Sequence, residues 1–203
     1  MALPLDRRPD RGANRRASRL EWATIGWNAA EAAVALAAGA AASSVALVGF
    51  GLDSVIEVSA AFVVLWQFRG VAAEREHRAL KAIGASFFLL AAYVAFTSVR
   101  DLVTHAEPDA APVGIVLTSL SMLVMPALAR VKHRTAHAIG SKALLADSNQ
   151  TKLCAYLSAA TLAGLAANAV LGWWWADPLA ALFIAFVAVR EGGDAWRGQD
   201  DCC

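Results

Sequence analysis

Residues Ser43–Phe68, SSVALVGFGLDSVIEVSAAFVVLWQF, place two carboxylates, Asp53 and Glu57, inside an otherwise apolar segment. On a helix their four-residue spacing puts both side chains on one face, about one turn and 5–6 Å apart, as two ligands of one hard or borderline cation must be. On the membrane-insertion scale an acid at mid-membrane costs roughly 2.5–3.5 kcal/mol, whereas each Leu, Ile, Phe or Val returns only about 0.3–0.6. Two acids therefore cancel most of this segment's apolar driving force. Ionisable groups so placed face a cavity or a partner and serve a function.

The whole chain is apolar to match. Its 203 residues are 58% hydrophobic and 17% charged, with a mean hydropathy of +0.49, which excludes a soluble domain of this size. An all-α polytopic membrane protein is expected. The formal net charge of +1 gives no overall field for nucleic acid. Cys154 lies in a hydrophobic run and Cys202 and Cys203 close the chain, so no disulfide framework is implied. The N-terminus does not read as a cleaved signal, because its basic arm leads into an apolar region far longer than a signal core. With no HExxH, GxSxG or paired catalytic histidine, the sequence does not read as an enzyme.

Outward from the two acids, Trp22–Phe68 is apolar for about 47 residues, enough for two spans, and must turn near AAGAAASS, Ala37–Ser44. Span one holds Asn28 and Glu31 on one face; Glu31 reads either as an interhelical hydrogen-bonding group or as part of an ion or proton path. A charged loop, Arg69–Lys81, bears His77. Span three follows over Leu80–Val99, then the connection Thr104–Pro112 with His105, and span four over Val113–Val131 with Pro126 inside it as an expected kink. The basic stretch KHRTAHAIGSK, Lys132–Lys142, is expected as a solvated loop. Span five runs from Ala143 to about Leu171, and span six from about Trp173 to Val189, with Asp177-Pro178 as N-cap and first helical residue. Trp173, Trp174 and Trp175 suit an interfacial belt.

Lys and Arg decide the orientation. The arm, the 69–81 and 130–142 loops and the Arg190/Arg197 tail are basic, whereas the 37–44, 104–112 and 171–177 turns hold neither residue. Six spans with both termini cytoplasmic satisfy every loop. The resulting organisation is a basic cytoplasmic arm over 1–20, a six-helix transmembrane domain over 21–190 and a short cytoplasmic tail over 191–203. The arm suits anionic lipid headgroups of the bilayer rather than nucleic acid. A bacterial protein of this kind would lie in the inner membrane.

Span five supplies a second polar stripe. Asp147, Gln150 and Cys154 fall at about 0°, 300° and 340° around a helix, within one 60° sector. Spans two and five run in opposite directions, so Asp53/Glu57 and Gln150/Cys154 are expected at similar depth and give four candidate ligands. Asp147 is a fifth candidate if span five rotates or locally unwinds, and otherwise an N-cap or first-turn acid at the membrane surface.

These residues resemble the cation diffusion facilitator family of divalent-metal transporters. Ser44, Ala46, Leu47, Val48, Gly51, Leu52, Asp53 and Ala60 fit the family's span-two signature; Gly49, Phe50 and Glu57 depart from it, Glu57 keeping the carboxylate. Ala146-Asp147 matches a pair in span five, where Gln150 stands in place of a histidine and Cys154 in place of an aspartate. Trp175–Pro178 is similar to the family's opening of span six. The resemblance implies a six-helix homodimer exporting zinc or a similar ion in exchange for protons, with a tetrahedral site at the positions of Asp53, Glu57, Gln150 and Cys154. It also suggests a short form without the family's C-terminal cytoplasmic domain.

The ligand chemistry adds to this. A cysteine thiolate suits zinc and favours cadmium, whereas an amide oxygen is a weak, hard donor. Carboxylates facing each other in a low dielectric need protons or a cation, so metal would displace protons. No resident cofactor is expected, the metal being cargo. The alternative reading is a non-transporting metal-binding membrane subunit that modulates another transporter. His133 and His137 have the spacing of a two-His metal-capture station but are read as part of a solvated loop. Asp200, Asp201, Cys202 and Cys203 are read as a disordered tail rather than a soft-metal pick-up site.

Overall fold

The computed structural model describes residues 11–67 and 73–197, and the described chain is six α-helices joined by short turns. They are α1 (Arg11–Ala41), α2 (Val45–Gln67), α3 (Ala73–Thr104), α4 (Pro112–Ile139), α5 (Lys142–Leu171) and α6 (Ala176–Arg197). The Cys202/Cys203 tail and the first ten residues lie outside the described residues.

Four helices contain spans long and apolar enough to cross a membrane: Val45–Trp66, Gly84–Thr104, Pro112–Ile139 and Asp147–Leu171. Helices α1 (31 residues) and α6 (22 residues) carry more charge and are not among these four; α1 packs along α2 and α4, and α6 along α3 and α5. The α1–α2 turn meets the α3–α4 connection through Asp109 N–H donating to Ala42 C=O at 2.9 Å. Asn168 Nδ2, at the end of α5, donates to Pro108 C=O at 2.8 Å, and the rings of His105 and Trp174 lie 5.1 Å apart. All three Lys- and Arg-free turns thus gather on one face. At the opposite end the Trp196 ring of α6 lies 6.4 Å from the Phe88 ring and 5.8 Å from Lys81 Nζ, both on α3. The protein is a polytopic helical membrane protein, and the positive-inside rule makes its Lys/Arg-rich face the expected cytoplasmic one.

Several boundaries differ from the sequence reading. The helix α1 begins at Arg11, inside the segment expected as an arm, and α3 begins at Ala73, inside the expected 69–81 loop. Helix α4 continues through Ile139, so the expected 132–142 loop shrinks to Gly140-Ser141. Gly140 takes the left-handed conformation (φ 66°) that ends α4, and Ser141 caps α5 by accepting from Leu144 N–H. Asp177 does not cap its own helix as expected. It accepts from Ser44 Oγ at 2.5 Å and Ala46 N–H at 3.3 Å, while Ser44 Oγ accepts from Leu47 N–H, so that α6 helps to cap α2.

Helix α2 is the central element. It packs against α1, α3, α5 and α6, and 61% of its apolar window is buried, against 28–39% for the other three spans. Small residues let its neighbours approach, as membrane helix packing requires. A Cβ at Gly39 of α1 would fall 2.8 Å from the Val48 backbone nitrogen, and one at Gly51 of α2 about 3.1 Å from Ala35 Cβ. One apolar cluster joins α2, α3 and α6 through Ile56, Leu90, Val94 and Ala181. A second, with Leu47, Phe50, Met125, Cys154 and Ile184, joins α2 to α4, α5 and α6.

Candidate metal site

Asp53 and Glu57, on the buried side of α2, are 6% and 1% exposed. Helix α5 lies against this side and brings up Cys154, 1% exposed, whose thiol interacts with both carboxylates. Three of the residues expected to act together are therefore neighbours across the α2–α5 contact. Neither Glu57 oxygen meets a donor at hydrogen-bonding geometry, although Thr151 and Cys154 flank it. Gln150, one turn before Cys154, is half-buried with its Nε2 lacking a protein partner. Among the described residues, no three or more His, Cys, Asp or Glu side chains are arranged to hold a metal ion.

On the side of α2 facing α1, Glu31 Oε2 accepts from Ser54 Oγ at 3.3 Å, while Glu31 Oε1 and both polar atoms of Asn28 are buried without a protein partner. Glu31 and Glu57 lie within electrostatic range of each other. Polar groups of α1, α2 and α5 thus form one buried tract through the bundle. Unpaired buried polar atoms cost about 1–3 kcal/mol each, which favours solvent or an ion along such a tract.

Asp147 is 4% exposed, so it is not a surface cap; it forms an ion pair with Lys132 of α4 and lies within electrostatic range of Glu57. Lys132 is fully buried. Its Nζ donates to Asp147 Oδ2 and lies 3.4 Å from both Glu21 Oε2 of α1 and Thr151 Oγ1 of α5. The sequence reading missed Lys132 and Glu21, and the missed signal is periodic. Gly114, Thr118, Ser121, Met125, Ala129, Lys132 and Thr135 are all buried on α4 and recur every three or four residues, so Lys132 continues the inward stripe.

His133 and His137 lie on this same helical continuation of α4. Their Nε2 atoms are 3.1 Å apart, and Ser148 Oγ lies 3.5 Å from His133 Nδ1. Arg130, Arg134 and Lys152 line the cavity beside them, which disfavours a second cation there.

Fold and site together define an integral membrane protein with a buried acid-and-thiol cluster at its centre. Residues 80–197 match the cation efflux transmembrane domain, and the chain belongs to the cation efflux family. That match begins in α3, so Asp53 and Glu57 lie outside it. The chain is 28% identical over 184 residues to an uncharacterized transporter of Synechocystis, covering 84% of this chain and 59% of that protein. It is 30% identical over 112 residues to the cation-efflux pump FieF of Shewanella oneidensis, covering 55% and 36%. It is 28% identical over 103 residues to Transmembrane protein 163 of Xenopus laevis, covering 49% and 37%. The chain thus spans between 36% and 59% of the length of these relatives.

Proposed function

We propose that this protein exports a divalent metal cation, Zn2+ and also Cd2+, from the cytoplasm by proton antiport through the cluster between α2 and α5. The observation that carries the reading is the burial of Asp53, Glu57 and Cys154 as neighbours at the centre of a membrane bundle. Two carboxylates balance the charge of one divalent ion, and a thiolate adds the soft ligand that zinc accepts and cadmium prefers. Gln150 completes the set with its amide oxygen as the weakest donor. Family membership and the likeness to a cation-efflux pump support the direction of transport. Asp147, paired with Lys132, is left out of this ligand set.

Protons are the counter-ion because facing carboxylates and a thiol in a low dielectric take up protons when the metal leaves. Access from each side in turn follows from tilting of helices around a site near the midplane. The working unit is a homodimer.

A second reading, a metal-binding subunit that does not transport, is favoured by one observation: Gln150 and Cys154 stand where the family's span five carries a histidine and an aspartate. Calorimetric titration of the intact chain in detergent tests the site itself. Zinc and cadmium bind at one shared site in the intact protein, and Asp53→Asn and Glu57→Gln each weaken binding at least about a hundredfold, as loss of a charged ligand at a closed site should. Unaltered binding in both variants would remove the site.

A further inference from the structure

Lys132 is the one buried cation among the described residues, and its two nearest acids, Asp147 and Glu21, are ones that the transport reading does not use. Replacing a buried ion pair by apolar residues is often neutral or stabilising, so packing alone gives no reason to hold a lysine here. Its position along the bundle supplies one. Lys132 is seven residues, about 10 Å, from the cytoplasmic end of α4, and Asp147 is five residues from the cytoplasmic end of α5. Cys154 lies seven residues, about 10 Å, further in along α5 than Asp147. An ion arriving from the cytoplasm therefore meets Lys132 before it meets the cluster, and Glu57 is within electrostatic range of the ammonium.

We propose that Lys132 sets the affinity of the metal site, as a tethered competitor for the cargo whose ammonium, moored by Asp147 and Glu21, weakens divalent-ion binding at Asp53 and Glu57 and fixes the concentration at which that site fills. The inference rests on the metal-site reading above. Three acids share the one positive charge: Asp147 by direct contact, Glu21 at 3.4 Å, and Glu57 at longer range. A divalent ion entering beside Glu57 is repelled by this charge; Asp147, also within electrostatic range of Glu57, offsets part of the repulsion, and the ammonium is the stronger of the two influences there. The two mooring acids keep the ammonium on the cytoplasmic side, so it opposes filling without occupying the ligand positions.

Calorimetric titration of the full chain with Cd2+ tests this. Lys132→Met lowers the Kd by about tenfold, whereas Lys132→Arg, which keeps the charge, retains the weaker affinity. Glu21→Gln removes one mooring, lets the ammonium turn toward Glu57, and raises the Kd severalfold. Should Lys132→Met fail to fold, Glu21→Gln decides, and an unchanged or lower Kd in that variant overturns the proposal. Intact binding that Asp53→Asn abolishes but Lys132→Met leaves unchanged overturns the Lys132 proposal alone. Absence of binding by the intact chain removes the metal-site reading and this proposal with it.

Discussion

Asp177, in the first turn of α6, accepts a 2.5 Å hydrogen bond from Ser44 Oγ, so an acid of the last helix completes the cap of the helix that carries Asp53 and Glu57. Both partners are buried, at 1% exposure each. The contact ties the α1–α2 turn to the start of α6 and fixes how deeply α2 sits. Asp177→Ala leaves Ser44 and the Ala46 N–H without an acceptor and costs about 1–3 kcal/mol; Asp177→Asn keeps an acceptor and costs less. Thermal unfolding in detergent ranks the two, and equal stability of Asp177→Ala and the intact protein would contradict the capping role.

Asp147→Ala leaves the Lys132 ammonium with the more distant Glu21 and Glu57 as its counter-charges among the described residues. Breaking a buried pair in this way costs about 3–5 kcal/mol, whereas removing both charges together is often neutral. The double variant Asp147→Leu/Lys132→Met is therefore more stable than Asp147→Ala in the same melting experiment. The opposite order would mean that Glu21 and Glu57 alone suffice to hold the lysine.

The sequence carried the helices well because each span is closed by turn residues or a change of charge, and the Lys and Arg of alternate connections fix their direction without reference to packing. Asp53, Glu57 and Cys154 were legible because acids and a thiol on helical stripes of apolar segments leave few alternatives. Lys132 was not. It opens the basic run KHRTAHAIGSK, and a run of charge reads as solvated whatever its helical phase, so the continuation of the inward α4 stripe through Ala129 to Lys132 went unseen. Asp177 shows the same limit: Asp-Pro at a helix start predicts a local cap, and only the tertiary fold brings Ser44 within reach.

Gly39 and Gly26 of α1 make a paired test of the α1–α2 contact. A Cβ at Gly39 would lie 2.8 Å from the Val48 nitrogen, whereas one at Gly26 meets nothing within 4 Å. Gly39→Ala forces the helices apart and costs about 1–3 kcal/mol. Gly26→Ala gains helix propensity of about 0.8–1.0 kcal/mol. Melting temperatures that move in opposite directions support the packing, and a neutral Gly39→Ala would refute it.

The arrangement of the turns predicts which residues label from which side. In a Cys202→Ser/Cys203→Ser background, where buried Cys154 is shielded, cysteines placed at Ser43 and Gly140 lie on opposite faces. An impermeant maleimide added to intact cells modifies the first and spares the second until the membrane is opened. Labelling of both from outside would overturn the topology.

The central claim is that the α2–α5 cluster carries a divalent ion across the bilayer. Zinc and cadmium flux into proteoliposomes under an imposed pH gradient tests it most directly, comparing the intact protein with Asp53→Ala and Cys154→Ser. Flux above that of empty vesicles, lost in Asp53→Ala and reduced more for cadmium than for zinc in Cys154→Ser, is the predicted result. No flux for either metal from folded protein would contradict transport and leave a metal-binding subunit in its place.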